Sequence, residues 1–231
     1  MTEQIQRVLV WPPILRILHL MMAATVLILL ITGMLINSGM ILNEQLYQHL
    51  LQVWHLPAGH VLILVLLARM VLLLTRKDVA GWRALIPDNL DGVISTATFY
   101  LSLARMKLPG YFAHNPLWKL LYLLWLILLL IQSFSGLLLE SSWWRSVLRT
   151  DSATVLELHQ LLLEPLTVFI IAHVITALLH DWKSPTGEIS AINNGYKFFS
   201  IEKNQSPVSI DQPVTVSLDS LKTGKKRDMD G

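Results

Sequence analysis

Residues 156–180 read LELHQLLLEPLTVFIIAHVITALLH. The run is long and apolar enough to cross a bilayer, yet it carries His159 and His173 inside the span. Their separation of 14 residues is, at ~1.5 Å and ~100° per residue, about 21 Å along a helix and roughly 40° short of four whole turns. Both imidazoles therefore leave the helix on one face, one near each edge of a hydrocarbon core about 30 Å thick. Ionisable side chains at such depth face a bundle interior and mark a functional site. Pro165, between them, is expected to kink the helix. Glu164 beside it reads as an interhelical hydrogen-bond partner in preference to a proton-relay carboxylate.

Composition agrees with a membrane setting. The 231 residues are 53% hydrophobic and 15% charged, with a mean hydropathy of +0.53, outside the range of soluble domains. A net charge of +2 gives no reason to expect a nucleic-acid partner. Cysteine is absent, which excludes iron–sulfur clusters, covalently attached or thiolate-ligated haem, and disulfides within this chain. Histidine remains as the soft ligand, at positions 19, 49, 55, 60, 114, 159, 173 and 180.

Three further apolar runs precede the first. A short polar start, residues 1–13, leads into a span over 14–36 that holds Arg16, His19 and Gly33; the run is too long for a signal peptide. A polar loop, 37–52, has no Lys or Arg, and a second span over 53–75 contains His55, Pro57, Gly59, His60 and Arg69. The connection that follows holds an amphipathic segment, 88–106, expected to lie on the membrane surface with Asp88 as its N-cap and Pro109-Gly110 as its end. His114-Asn115-Pro116 opens a third span over 117–139, and paired Trp143 and Trp144 in the next loop suit an interface. From about Ser200 the chain is polar and reads as a disordered tail. The expectation is an all-α transmembrane four-helix bundle over 1–199, with a tail over 200–231. Lys and Arg concentrate in both terminal segments and the second connection, so the positive-inside rule places both termini in the cytoplasm.

Topology limits which histidines meet. His19 starts an outward-running helix and lies near the inner face. His55 and His159 start inward-running helices near the outer face, and His173 returns to the level of His19. Depth therefore pairs His55 with His159 and His19 with His173. Each pair can supply both axial ligands of a b-type haem. His60 lies five residues beyond His55 and ~140° round the helix, so the two cannot serve one iron. His180 falls at the interface, where a solvated imidazole is expected, and His49 falls in a loop. Arg16 and Arg69, near the inner ends of their helices, have two readings: holding a haem propionate, or snorkelling to headgroups. Zinc is disfavoured because two distant pairs do not assemble one tetrahedral site.

The ordered set Arg16-x-x-His19, Gly33, His55-x-x-x-Gly59, Arg69, His114-Asn115-Pro116, Gly136, His159 and His173 resembles a known family. It is that of the di-haem cytochrome b subunits of nickel–iron hydrogenases and formate dehydrogenases, within the bacterial cytochrome b561-like group. Residues 191–197, AINNGYK, look like a degenerate form of its C-terminal motif. The resemblance implies two b-type haems on the pairs above, with His55 and not His60 at the ligand position. It also implies a quinone site beside the inner haem, near Asn115 and His173. By spacing alone Asn115 is a helix-initiating residue. Leu20 and the missing methionine of the C-terminal motif depart from the pattern.

The sequence expectation is thus a multi-pass protein of the bacterial inner membrane. It would carry electrons between a periplasmic-side partner (a hydrogenase, a formate dehydrogenase-like enzyme or a multihaem cytochrome) and membrane quinone. The alternatives are a free-standing quinone-reactive cytochrome b and, from another class, a small proton or metal transporter or sensor using the intramembrane histidines.

Overall fold

The computed structural model describes residues 4–87, 89–102, 111–183 and 188–201. Its first helix, α1, is Pro13–Asn37. α2, Glu44–His49, passes through a π-helical stretch Leu50–His55 into α3, Leu56–Thr75. A 3-10 turn Trp82–Leu85 leads to α4, Leu90–Leu101, and then to α5, Pro116–Glu140. α6, Ser142–Leu148, precedes α7, Ser152–Leu161, and α8, Leu163–Lys183. α9, Glu188–Asn194, closes the helical part.

Four of these form apolar membrane-length units: Pro13–Asn37, Glu44–Thr75, Pro116–Glu140 and Ser152–Trp182. The shortest, of 25 residues, is about 37 Å long and exceeds a 30 Å hydrocarbon core. The protein is therefore an all-α four-helix transmembrane bundle. The second and fourth units begin earlier than their apolar runs, because Asn43 and Asp151 cap new helical turns by accepting from Leu46 N (3.1 Å) and Thr154 N (2.9 Å). His49, expected in a loop, ends α2.

The second and fourth units are each irregular at a proline. Pro57 has no N–H for the Val53 carbonyl, and the wide π-helical turns lie immediately before it. Pro165 likewise offers no N–H to the Leu161 carbonyl, and the fourth unit breaks at Leu162, between α7 and α8. The expected kink is there.

The bundle core is leucine: Leu62, Leu66 and Leu73 of α3 meet Leu126 and Leu129 of α5 and Leu166 of α8. Leu64, Leu67 and Leu74 on the other face of α3 stay more than half exposed, as lipid-facing side chains do. At ~25 cal/mol per Å² burial in water would favour hiding them; lipid removes that incentive, so packing inward is selected by fit.

α4 occupies the expected surface segment, but its N-cap is Asn89, which accepts from Gly92 N at 2.8 Å. Asp88 and Pro109-Gly110, assigned as its boundaries, lie outside the described residues, as does the tail from 202 onward.

The polar start and the segment after α9 hold what periodicity missed. β1, Gln4–Leu9, pairs antiparallel with β2, Tyr196–Ile201, in the register Gln4↔Ile201 to Leu9↔Tyr196. Both chain ends of the bundle are thus tied together on one side, here called the basic end. Gly195 makes the turn into β2: its carbonyl accepts from Val10 N (2.8 Å) and Trp11 N (3.0 Å), at φ +89°. A Cβ there would stand 2.9 Å from both the Trp11 carbonyl oxygen and Leu9 Cδ1. Gly195→Ala should therefore cost about 1–3 kcal/mol and lower the thermal midpoint of the detergent-solubilised protein; an unchanged midpoint would show that the latch carries no stability.

Candidate functional site

At the end of the bundle opposite the termini, His55 leaves the π-helical stretch toward α1 and α7. Its Nδ1 lies 2.8 Å from Thr32 Oγ1, and that hydroxyl is also 2.7 Å from the Ile28 carbonyl of its own helix. A carbonyl only accepts, so the hydroxyl hydrogen is spent on Ile28 and Thr32 must accept from His55 Nδ1–H. The lone pair of His55 is then on Nε2. His159 repeats the arrangement: its Nδ1 is 2.8 Å from Ser135 Oγ, whose hydrogen goes to the Gln132 carbonyl at 2.8 Å. Gln132 Nε2 also donates to the His159 carbonyl at 3.2 Å, beside the break in the fourth unit. A glycine follows each hydroxyl residue and faces the ring it holds. A Cβ on Gly33 would sit 3.4 Å from His55 Cε1, and one on Gly136 3.5 Å from His159 Cε1.

The two rings are 6.3 Å apart at their centroids, inclined at 73°. Nearer the basic end, His19 of α1 and His173 of α8 stand 6.2 Å apart, inclined at 50°. No hydrogen bond joins the rings of either pair. For two imidazoles on opposite sides of one metal, a metal–nitrogen bond of about 2.0 Å plus about 1.1 Å from nitrogen to centroid gives roughly 6.2 Å. Both pairs have that spacing. His19 Nδ1 is buried with no hydrogen-bond partner. His173 is lodged between Phe169, stacked at 6.4 Å, and Trp118, edge-on at 5.2 Å. The spacing of each pair would suit two imidazole ligands of one b-type haem.

His60 points elsewhere: it is exposed and 3.0 Å from Glu140 Oε2. Glu164 is exposed and has no hydrogen bond among the described residues, so the expected interhelical contact is not made; the turn of chain at Leu162 carries it outward. Among the described residues no three His, Cys, Asp or Glu side chains converge.

At the basic end Arg69 is only 4% exposed. Its Nε donates to Tyr122 Oη (2.7 Å) and its Nη1 to the Ala80 carbonyl (2.8 Å), which rules out the snorkelling reading. Arg16 Nη1 donates to the Asn193 carbonyl at 2.5 Å, while its Nε is buried without a partner. Asn115 is the N-cap of α5, accepting from Trp118 N at 2.9 Å, and its Nδ2 donates to Tyr100 Oη at 3.1 Å. His180, expected in solvent, is 9% exposed. α4 covers it with Phe99 and Tyr100, and Tyr100 Oη bonds its Nε2.

Sequence reasoning did not single out Thr32, Ser135, Trp118 or Tyr100. The first two had a signal: Thr32-Gly33 and Ser135-Gly136 are hydroxyl–glycine pairs at matching depths on the two helices that face the outer histidines. Trp118 and Tyr100 had none, because aromatic residues near an interface are common.

His114, just before α5, is held neutral. Burial first, then the charges of Arg69, Lys119 and Lys197, push its pKa from 6.5 down to about 3. The unfolded chain protonates near 6.5 and the folded one does not, so stability is full above that pH and is lost as pH falls toward 3. Between pH 6.5 and 5 the melting temperature of the wild type should fall more steeply than that of His114→Asn; parallel curves would contradict this.

The family model described as prokaryotic cytochrome b561 matches residues 10–195. No curated protein and no solved structure shows a match to the chain. The match spans all four membrane units, both histidine pairs and the strand-forming turn at Gly195. The chain thus belongs to the prokaryotic cytochrome b561 family, as a multi-pass membrane protein with a b-type haem and an electron-transfer role.

Proposed function

We propose that the protein binds two b-type haems, His55 with His159 and His19 with His173 as axial ligands, and conducts electrons across the bacterial inner membrane. The carrying observation is the pair of centroid separations, 6.3 and 6.2 Å, at two levels of one bundle. Bound haem would supply reversible one-electron chemistry at each level. The chain's own residues prepare the sites. Thr32 and Ser135 hold Nδ1–H of the outer pair, which fixes the tautomer, the ring orientation and the basicity of Nε2. Gly33 and Gly136 leave room beside the ligand rings. Buried Arg69 and the partnerless Nε of Arg16 are positive groups at the inner level, suited to propionate carboxylates.

The excess of Lys and Arg supports a cytoplasmic position for the basic end. Quinone would react there, near Asn115 and His173, and the opposite face would receive a periplasmic-side redox partner such as a hydrogenase, a formate dehydrogenase-like enzyme or a multihaem cytochrome. Substrate chemistry belongs to that partner. A metal transporter is disfavoured, since the histidines stand as pairs and gather no third ligand among the described residues.

The test is haem quantified per chain with a dithionite-reduced minus oxidised spectrum. Wild type should show a b-type α-band and two haems; a colourless folded protein would refute the proposal. His55→Ala and His159→Ala should each retain the same single haem, and His19→Ala and His173→Ala the other. Thr32→Ala or Ser135→Ala should weaken outer-haem affinity about 10-fold or more while the inner haem stays; equal loss of both would show that the hydroxyls serve the fold and not the ligand.

A further inference from the structure

Near the inner pair, two nitrogen donors of α5 converge on one oxygen brought by another element. Asn115 Nδ2 and Trp118 Nε1 each donate to Tyr100 Oη at 3.1 Å. The direction of the Asn115 amide is settled by its cap: Oδ1 faces Trp118 N at 2.9 Å, so NH2 must face Tyr100. The Trp118 ring is fixed by edge-on contact with Phe169 (5.5 Å) and with His173 (5.2 Å). Both donors therefore sit on the rigid first turn of a membrane helix, one of them touching a proposed inner ligand. The oxygen they share comes from the last turns of α4, a surface helix of 12 residues.

A phenol hydroxyl has two acceptor sites and one hydrogen. Two N–H groups occupy the acceptor sites, so the hydrogen is donated to His180 Nε2. A phenol oxygen, conjugated with its ring, is a weaker acceptor than a carbonyl, whose two lone pairs lie in plane and suit two converging donors.

We infer that Asn115 and Trp118 form a two-donor subsite for a quinone carbonyl, occupied by the Tyr100 hydroxyl until quinone displaces it. The inference rests on the quinone reading above and adds Trp118 as a ligand contact and Tyr100 as an internal competitor. α4 is then the movable cover of the site, and His180 the group that keeps the Tyr100 hydroxyl turned toward the donors.

The experiment is calorimetric titration of the haem-loaded full chain in detergent with a short-chain ubiquinone and with menadione, on the wild type, Tyr100→Phe and Trp118→Phe. Removing the competing oxygen should tighten binding about five-fold in Tyr100→Phe, and removing a donor should weaken it about five-fold in Trp118→Phe. Unchanged or weaker binding by haem-loaded Tyr100→Phe, or unchanged binding by Trp118→Phe, overturns the inference. Should Tyr100→Phe lose its haem, Trp118→Phe decides, because its ring keeps the packing on Phe169 and His173. Failure of the wild type to bind either quinone removes the quinone reading and this inference together. Binding by the wild type that is indifferent to both substitutions overturns the inference alone.

Discussion

Burying an imidazole N–H inside a hydrocarbon-thick bundle is costly unless it is bonded, and the outer pair is built around that constraint. Thr32 and Ser135 each pass their hydroxyl hydrogen to a carbonyl one turn back on their own helix. What remains is an acceptor, and His55 and His159 fill it with Nδ1–H. One hydrogen bond per ring thus does two things: it meets the cost of burying a polar group and selects the tautomer that leaves the Nε2 lone pair free. The neighbouring glycines lie against the same rings: a Cβ on Gly33 or Gly136 would already be in van der Waals contact, at 3.4 and 3.5 Å, which leaves little space for a longer side chain.

The two levels are built differently. The outer pair is held by hydrogen bonds. The inner pair is held by shape: His173 is wedged by Phe169 and Trp118, and Trp125 stacks on Phe169 at 4.3 Å. Buried Arg69 and the partnerless nitrogens of His19 and Arg16 lie toward this level. The surroundings of the two levels therefore differ: side-chain hydroxyls bond the outer rings, while the inner level has more positive charge and more unpaired nitrogens.

The basic end is organised by backbone, with side chains second. The β1–β2 pair, the Gly195 turn and the Arg16–Asn193 contact tie residues 4–9 and 193–201 together at the foot of α1. Lys197, 1% exposed, reaches the Ala113 carbonyl at 3.3 Å, so the latch also fixes the turn before α5 that carries His114 and Asn115. The polar machinery near the inner histidines is therefore positioned by segments outside the membrane.

The amino-acid sequence by itself determined the four spans, the depth of each histidine and hence which could meet, because a bilayer turns helix length into a ruler and alternates helix direction. Pro165 announced where the fourth span would be irregular, since a missing N–H acts locally; the irregular turns before Pro57 emerged only in the structure. Tertiary structure alone decided the rest. Whether Asn115 serves as a cap and a donor at once, whether His180 is wet or covered, and which hydroxyl meets which imidazole all depend on neighbours far along the chain. The strands show the limit most plainly: six residues at each end have too short a pattern to declare themselves, and they become a sheet only because folding brings Gln4 opposite Ile201.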